Sequence, residues 1–120
     1  MKSLRIFIVD DDKDFAESLS DIFEMEGHTC ELAYDGESAI EKFREKDFDL
    51  TFMDIKMSGK NGVESFMEIR KIRPHAKIIM MTGYSVEGLL TQAVENGAWG
   101  VLHKPLDMDE IFRMVKYIDT

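Results

Sequence analysis

The chain has 120 residues, and 15 Lys and Arg against 24 Asp and Glu leave a formal net charge of −9 and a pI near 4.7. A domain of this length buries about two-thirds of its unfolded surface, while so acidic a chain is a poor candidate for nucleic-acid backbones or anionic membranes, which require a basic stripe. Apolar runs such as Ile6 to Val9 fall far short of the ~20 residues of a bilayer span, no signal peptide is visible, and the single Cys30 excludes an internal disulfide, so a cytoplasmic setting is expected. Ile6-Phe7-Ile8-Val9 predicts a first strand. Phe15, Leu19, Ile22 and Phe23 then recur at helical spacing, with Gly27 as a C-terminal stop. Cys30 to Tyr34 predicts a second strand, and Asp35 is set to cap a helix through Ala39, Ile40 and Phe43. Leu50 to Met53 predicts a third strand ending at Asp54; its helix carries Val63, Phe66, Met67 and Ile69 and stops near Pro74. Ile78 to Met81 predicts a fourth strand ending at Thr82. A fourth helix on Leu89, Leu90, Ala93 and Val94 closes at Asn96-Gly97. Val101-Leu102 marks a fifth strand, and Ile111, Phe112 and Val115 a fifth helix.

Strand therefore alternates with helix throughout, and no linker or low-complexity stretch divides residues 1–120, so a single domain is expected. Strands that are continuously apolar are buried on both faces, which implies a parallel sheet between two helical layers, an α/β class. Ligands of such sheets bind outside the carboxyl ends of the strands. Asp10, Asp11 and Asp12 follow the first strand, Asp54 the third, Thr82 and Gly83 the fourth, and His103, Lys104 and Pro105 the fifth.

Two carboxylates ~4 Å apart repel by about 4 kcal/mol at an effective dielectric of 20. Such a cluster either raises a carboxyl pKa or recruits a cation. An all-oxygen ligand set suits Mg2+ or Mn2+. With a metal and an ammonium to offset charge and a hydroxyl to donate, a carboxylate there is equipped to attack phosphorus. Each residue alone has a plainer role: Asp12 as a helix cap, Thr82 as a strand-end hydroxyl bonded to backbone, Lys104 as a surface charge. Their convergence on one sheet edge is what points to chemistry. Pro105 after Lys104 is a position for a cis peptide.

Ile8-Val9-Asp10-Asp11-Asp12, Met53-Asp54-Ile55-Lys56-Met57-Ser58-Gly59 with Gly62, Met80-Met81-Thr82-Gly83 and Lys104-Pro105 together resemble the receiver domain of two-component response regulators, from about Leu4 to Tyr117. The resemblance implies a flavodoxin-like doubly wound (βα)5 sandwich with strand order 2-1-3-4-5. It implies Asp54 as phospho-acceptor from a sensor histidine kinase or phosphotransfer protein, forming an aspartyl phosphate. It further implies Mg2+ held by Asp10, Asp11, Asp54 and the backbone carbonyl of Lys56, with Thr82 and Lys104 engaging phosphate oxygens. Output would pass through the face made by the fourth helix, fifth strand and fifth helix, to an effector or to a second copy, and not to nucleic acid or membrane. Such a domain is a signalling switch, not a turnover enzyme.

Three positions depart from the pattern. Ser58 stands where the family commonly has Pro, which leaves the loop less restricted without touching a ligand. Gly83 replaces a frequent Ala, both being small enough for phosphate to approach. Val101 occupies the place of an aromatic that swings inward on activation, an exchange that valine cannot make. Lys56 and Tyr84 flank the site at variable positions.

Rival motifs fit less well. Asp10-x-Asp12 also resembles the start of haloacid dehalogenase-type phosphatases, but Asp14 stands where those need Thr or Val. An EF-hand reading fails at Phe15, which occupies the required turn glycine, and Gly59-Lys60 lacks the earlier glycine of a phosphate loop. A receiver that binds partners without phosphorylation is the non-enzymatic alternative, opposed by the complete residue set. His28 and His75 are expected on the solvated surface, and His103 near the site without a partner. The nine Met serve as core and interface filler, and Trp99 packs at the entrance to the fifth strand. The chain ends soon after the fifth helix, which fits either a stand-alone regulator or the receiver of a longer protein.

Overall fold

A computed structural model describes residues 3–57, 59, 61–83 and 87–119, with the backbone alone of residues 87, 89, 90 and 119. Ser58, Lys60 and Tyr84, named above, lie outside the described residues, as do the side chains of Leu89 and Leu90. The elements run β1 (Arg5–Val9), α1 (Lys13–Met25), β2 (Thr29–Ala33), α2 (Gly36–Glu45), β3 (Leu50–Asp54), α3 (Gly62–Ile72), β4 (Ile78–Thr82), α4 (Glu87–Glu95), β5 (Gly100–His103) and α5 (Met108–Asp119). All strand pairs are parallel and the sheet order is β2-β1-β3-β4-β5. This is the expected doubly wound order.

Burial follows from the order. The inner strands β3 and β4 are buried at every residue, and β1 at all but Arg5. The edge strand β2 is only half-buried, which is why Thr29-Cys30-Glu31 could enter a strand without a hydrophobic run. Alternate side chains feed two cores. One joins Phe7, Val9, Met53 and Met80 to Phe43 of α2, Phe66 of α3 and Ala93 of α4. The other joins Ile8, Phe52 and Met81 to Leu19 and Phe23 of α1 and Ile111 of α5. Stacked rings seal both, Phe7 on Phe48 at 4.4 Å and Phe23 on Phe52 at 5.3 Å. Each fully buried Phe contributes roughly 1.5–3 kcal/mol.

Helix ends obey local chemistry. Asp12 and Asp35 cap α1 and α2, each carboxylate accepting the N–H three residues on. At α3 a reciprocal capping box forms between Asn61 and Glu64. That Asn-x-x-Glu spacing was in the sequence and went unread. Gly27 and Gly97 turn the chain at φ near +95°, where a side chain would be strained.

One expectation is overturned. His28 is buried, not solvated: its Nδ1 accepts the Leu4 N–H at 3.0 Å and its ring meets Phe23 edge-on. The Leu4 N–H precedes β1 and needs an acceptor, and the imidazole supplies one in an apolar pocket. His75 is exposed as anticipated, and His103 is exposed at the end of β5.

Candidate functional site

Strand register assembles the site. Val9 pairs with Met53, so Asp10 emerges beside Asp54. Asp54 pairs with Met81 and Thr82 with His103, which brings Lys104 to the same edge. The backbone locks the last step: the Lys104 N–H donates to the Thr82 carbonyl at 2.7 Å, and the Lys104–Pro105 bond is cis.

Asp10 is completely buried. Its Oδ1 accepts the Asp12 N–H at 3.0 Å, and its Oδ2 accepts from Lys104 Nζ at 2.6 Å. Asp54 is nearly as deep, 3.6 Å from the same ammonium. Asp11 is exposed at the rim, and one carboxylate oxygen each from Asp10, Asp11 and Asp54 lies within 4.8 Å of the others. Thr82 is buried at the strand end. Asp10, Asp11, Asp12, Asp54, Lys56, Gly83 and Lys104 line one open cleft.

The electrostatics of the cleft are unbalanced. Burial, then the charges of Asp10 and Asp11, push the Asp54 carboxyl up to about 6 against the pull of Lys104. Burial works against the Lys104 ammonium, but its hydrogen bond to Asp10 and the charge of Asp54 outweigh that and raise its pKa. One ammonium thus faces two buried carboxylates and a third at the rim. Three hard oxygen donors with surplus negative charge fit a divalent cation such as Mg2+.

Glycines shape the approach. A Cβ on Gly62 would collide with the Asp54 carbonyl oxygen and stand 2.8 Å from Ile55 Cα. Here the chain after Asp54 doubles back, with the Gly62 N–H on the Ile55 carbonyl at 2.7 Å. At Gly83 a Cβ would meet Lys104 only at ordinary contact, 3.8 Å, so the Ala that the family pattern favours would fit.

The structure therefore brings Asp10, Asp11, Asp54, Thr82, Lys56 and Lys104 to one sheet edge, while Asp12 turns to cap α1. Sequence reasoning missed Phe15. It was read as a core residue of the first helix, yet its ring lies 4.3 Å beneath Lys104 Nζ. No spacing rule links positions 15 and 104.

The comparisons agree with this geometry. A family model described as the response regulator receiver domain matches residues 6–116. The transcriptional regulatory protein ZraR of Klebsiella oxytoca is 38% identical over 106 residues, which is 88% of this chain and 24% of ZraR. The chain thus spans about a quarter of that regulator's length. A CheY-like receiver domain protein from Methanospirillum hungatei superposes with a TM-score of 0.91 at 31% identity, covering 98% of this chain and 95% of that one. The response regulator TrrA of Thermotoga maritima, solved in complex with Mg2+-BeF, superposes at 0.85 with 36% identity over 98% and 99% of the two chains.

Proposed function

This chain belongs to the response regulator receiver family of two-component systems, and on that premise we propose that it is a phosphorylation switch with Asp54 as acceptor. The family consists of signalling modules, not turnover enzymes. The observation that carries the reading is the meeting of three carboxylates within 4.8 Å beside one ammonium, in an open cleft.

The donor is a phosphohistidine on a sensor kinase or phosphotransfer protein. With a pKa of about 6, Asp54 is mostly ionised at neutral pH and available as nucleophile. Its carboxylate oxygen bonds to phosphorus as the N–P bond to the donor breaks. The imidazole leaves with that electron pair and takes up a proton. Lys104 then pairs with a phosphoryl oxygen, and the Thr82 hydroxyl donates to another. Water attack on phosphorus later releases inorganic phosphate and restores the Asp54 carboxylate. Asp10, Asp11 and Asp54, with the Lys56 backbone carbonyl, would hold Mg2+ or Mn2+. When bound, that ion neutralises charge and orients the phosphoryl group.

The modified Asp54 adds charge and acceptor oxygens that bias the chain around Thr82 and Lys104, and from there the face of α4, β5 and α5. Val101 on β5 is half-buried and aliphatic, so this response proceeds without an aromatic exchange. The partner at that face is a downstream effector or a second copy of the chain. The domain spans residues 1–120 and acts in the cytoplasm; its net charge of −9 disfavours direct contact with a nucleic-acid backbone. Among the described residues no helix is long and apolar enough to cross a membrane.

Acetyl phosphate with Mg2+ tests the reading directly. Intact mass should rise by one phosphoryl group in the wild type and stay unchanged in Asp54→Asn. A gain that survives Asp54→Asn overturns the assignment.

A further inference from the structure

Lys104 is held on a closed ring of four residues. Its Nζ donates to Asp10 Oδ2 at 2.6 Å, while Asp10 Oδ1 accepts the Asp12 N–H at 3.0 Å. Asp12 Oδ1 in turn caps α1 by accepting the Phe15 N–H at 3.1 Å. Phe15 closes the ring, because its aromatic face lies 4.3 Å from Lys104 Nζ. The cap therefore fixes the backbone of Phe15, and Phe15 packs against the core shared by α1 and α5. A lysine stem is flexible and its ammonium strongly hydrated. An aromatic face attracts the ammonium and removes water from one side of it.

We propose that Phe15 is a positioning residue for Lys104: its ring holds the ammonium over the cleft, at the place where a phosphoryl group arrives on Asp54. The inference rests on the role given above to Asp54 and Lys104. It goes beyond that role by tying the first turn of α1 to phosphoryl capture. Phe15 touches neither phosphorus nor metal; it acts through Lys104 alone.

The attraction depends on the negative potential of the ring face, which fluorine withdraws stepwise with little change of shape. The test places mono-, di- and trifluorinated phenylalanine at position 15 of the full chain by site-specific incorporation, with Phe15→Tyr and Phe15→Leu beside them. The readouts are the rate of phosphorylation by acetyl phosphate at saturating Mg2+, the Mg2+ affinity by calorimetry, and the unfolding midpoint. Expected is a graded fall in rate along the fluorine series, reaching about two- to five-fold at trifluorophenylalanine and in Phe15→Leu, the range of a partly exposed cation–π contact. Phe15→Tyr keeps the wild-type rate, and Mg2+ affinity is unchanged across the series. A flat fluorine series overturns the proposal even where Phe15→Leu is slow, since only packing would then be at stake. An unmodified chain that gains no phosphoryl group on Asp54 overturns the underlying reading and the proposal with it; a wild type that is phosphorylated beside a flat series overturns the proposal alone.

Discussion

At the amino end of the sheet, His28 Nδ1 accepts the Leu4 N–H at 3.0 Å and Asp49 accepts that of Arg5 at 2.7 Å. Each polar side chain there completes one backbone group that entry into a strand would leave unpaired. At the carboxyl end, Asp10 and Asp54 are buried with Lys104 as their shared cation, and Asp11 adds charge at the rim. Strand register sets Asp10 beside Asp54, and their closeness concentrates charge instead of completing the sheet. The same sheet therefore carries polar groups that complete it at one end and polar groups that strain it at the other. The proposed site for a cation and a phosphoryl group keeps surplus negative charge at the second end, and its cost should appear in stability.

The largest effect should come from removing the Lys104 ammonium. Lys104→Met leaves Asp10, with no exposure at all, facing Asp54 without an ammonium between them. Breaking a buried pair in this way costs about 3–5 kcal/mol. Urea unfolding at pH 8 should show that loss, and Mg2+ should return part of it by binding the native carboxylates. A variant as stable as wild type at pH 8 without Mg2+ would mean that the carboxyl end is not strained.

A somewhat smaller effect follows from Asp54 itself. Its carboxyl titrates near 6 in the native state against 3.8 as the reference value. The native state thus holds the proton more tightly than the unfolded chain, and stability must fall as pH rises. The contribution is complete below about pH 4, declines through pH 6 and is lost above it. The span amounts to about 3 kcal/mol at 1.36 kcal/mol per pH unit. Asp54→Asn should therefore be more stable than wild type at pH 7.5 by about 2–3 kcal/mol, and the advantage should vanish by pH 4. Paired denaturant titrations across that range measure it, and the difference between the two proteins cancels the carboxylates that do not interact with Asp54. An advantage that persists at pH 4 would place its origin in packing.

These two predictions concern residues that were legible before any coordinates, and the reason is physical. A strand buried on both faces is mostly apolar, so Ile6 to Val9, Leu50 to Met53 (Thr51 apart) and Ile78 to Met81 announce themselves, and the polar residue that ends each run is a site candidate. Asp10, Asp54 and Thr82 were found in that way. Lys104 followed from the fifth strand and Pro105. The half-buried β2 was displaced by one residue, Thr29–Ala33 in place of Cys30 to Tyr34, because an edge strand carries a weaker pattern. Phe15 was invisible as a partner of Lys104, since one apolar residue in a helical stripe looks like another until the fold decides what lies above it. His28 failed for a related reason. A histidine in a connecting segment is usually wet, and only the docking of that segment against Leu4 and Phe23 makes it dry.

His28 also supplies the smallest of the three effects and the sharpest contrast. The imidazole here serves as an acceptor, its Nδ1 taking the Leu4 N–H. His28→Leu keeps an apolar side chain against Phe23 but leaves the buried Leu4 N–H without its partner, a loss of about 1–2 kcal/mol. Chemical denaturation should report that loss at pH 7.5. The rate of phosphorylation by acetyl phosphate should stay within experimental error, because His28 and the cleft lie at opposite ends of the strands. Lys104→Met should move both quantities, and His28→Leu only one. If His28→Leu slowed phosphoryl capture in proportion to its loss of stability, the division of the sheet into a completing end and a working end would fail. Strain at Asp54 would then be sustained by the sheet as a whole, and a defect at either end would relax it.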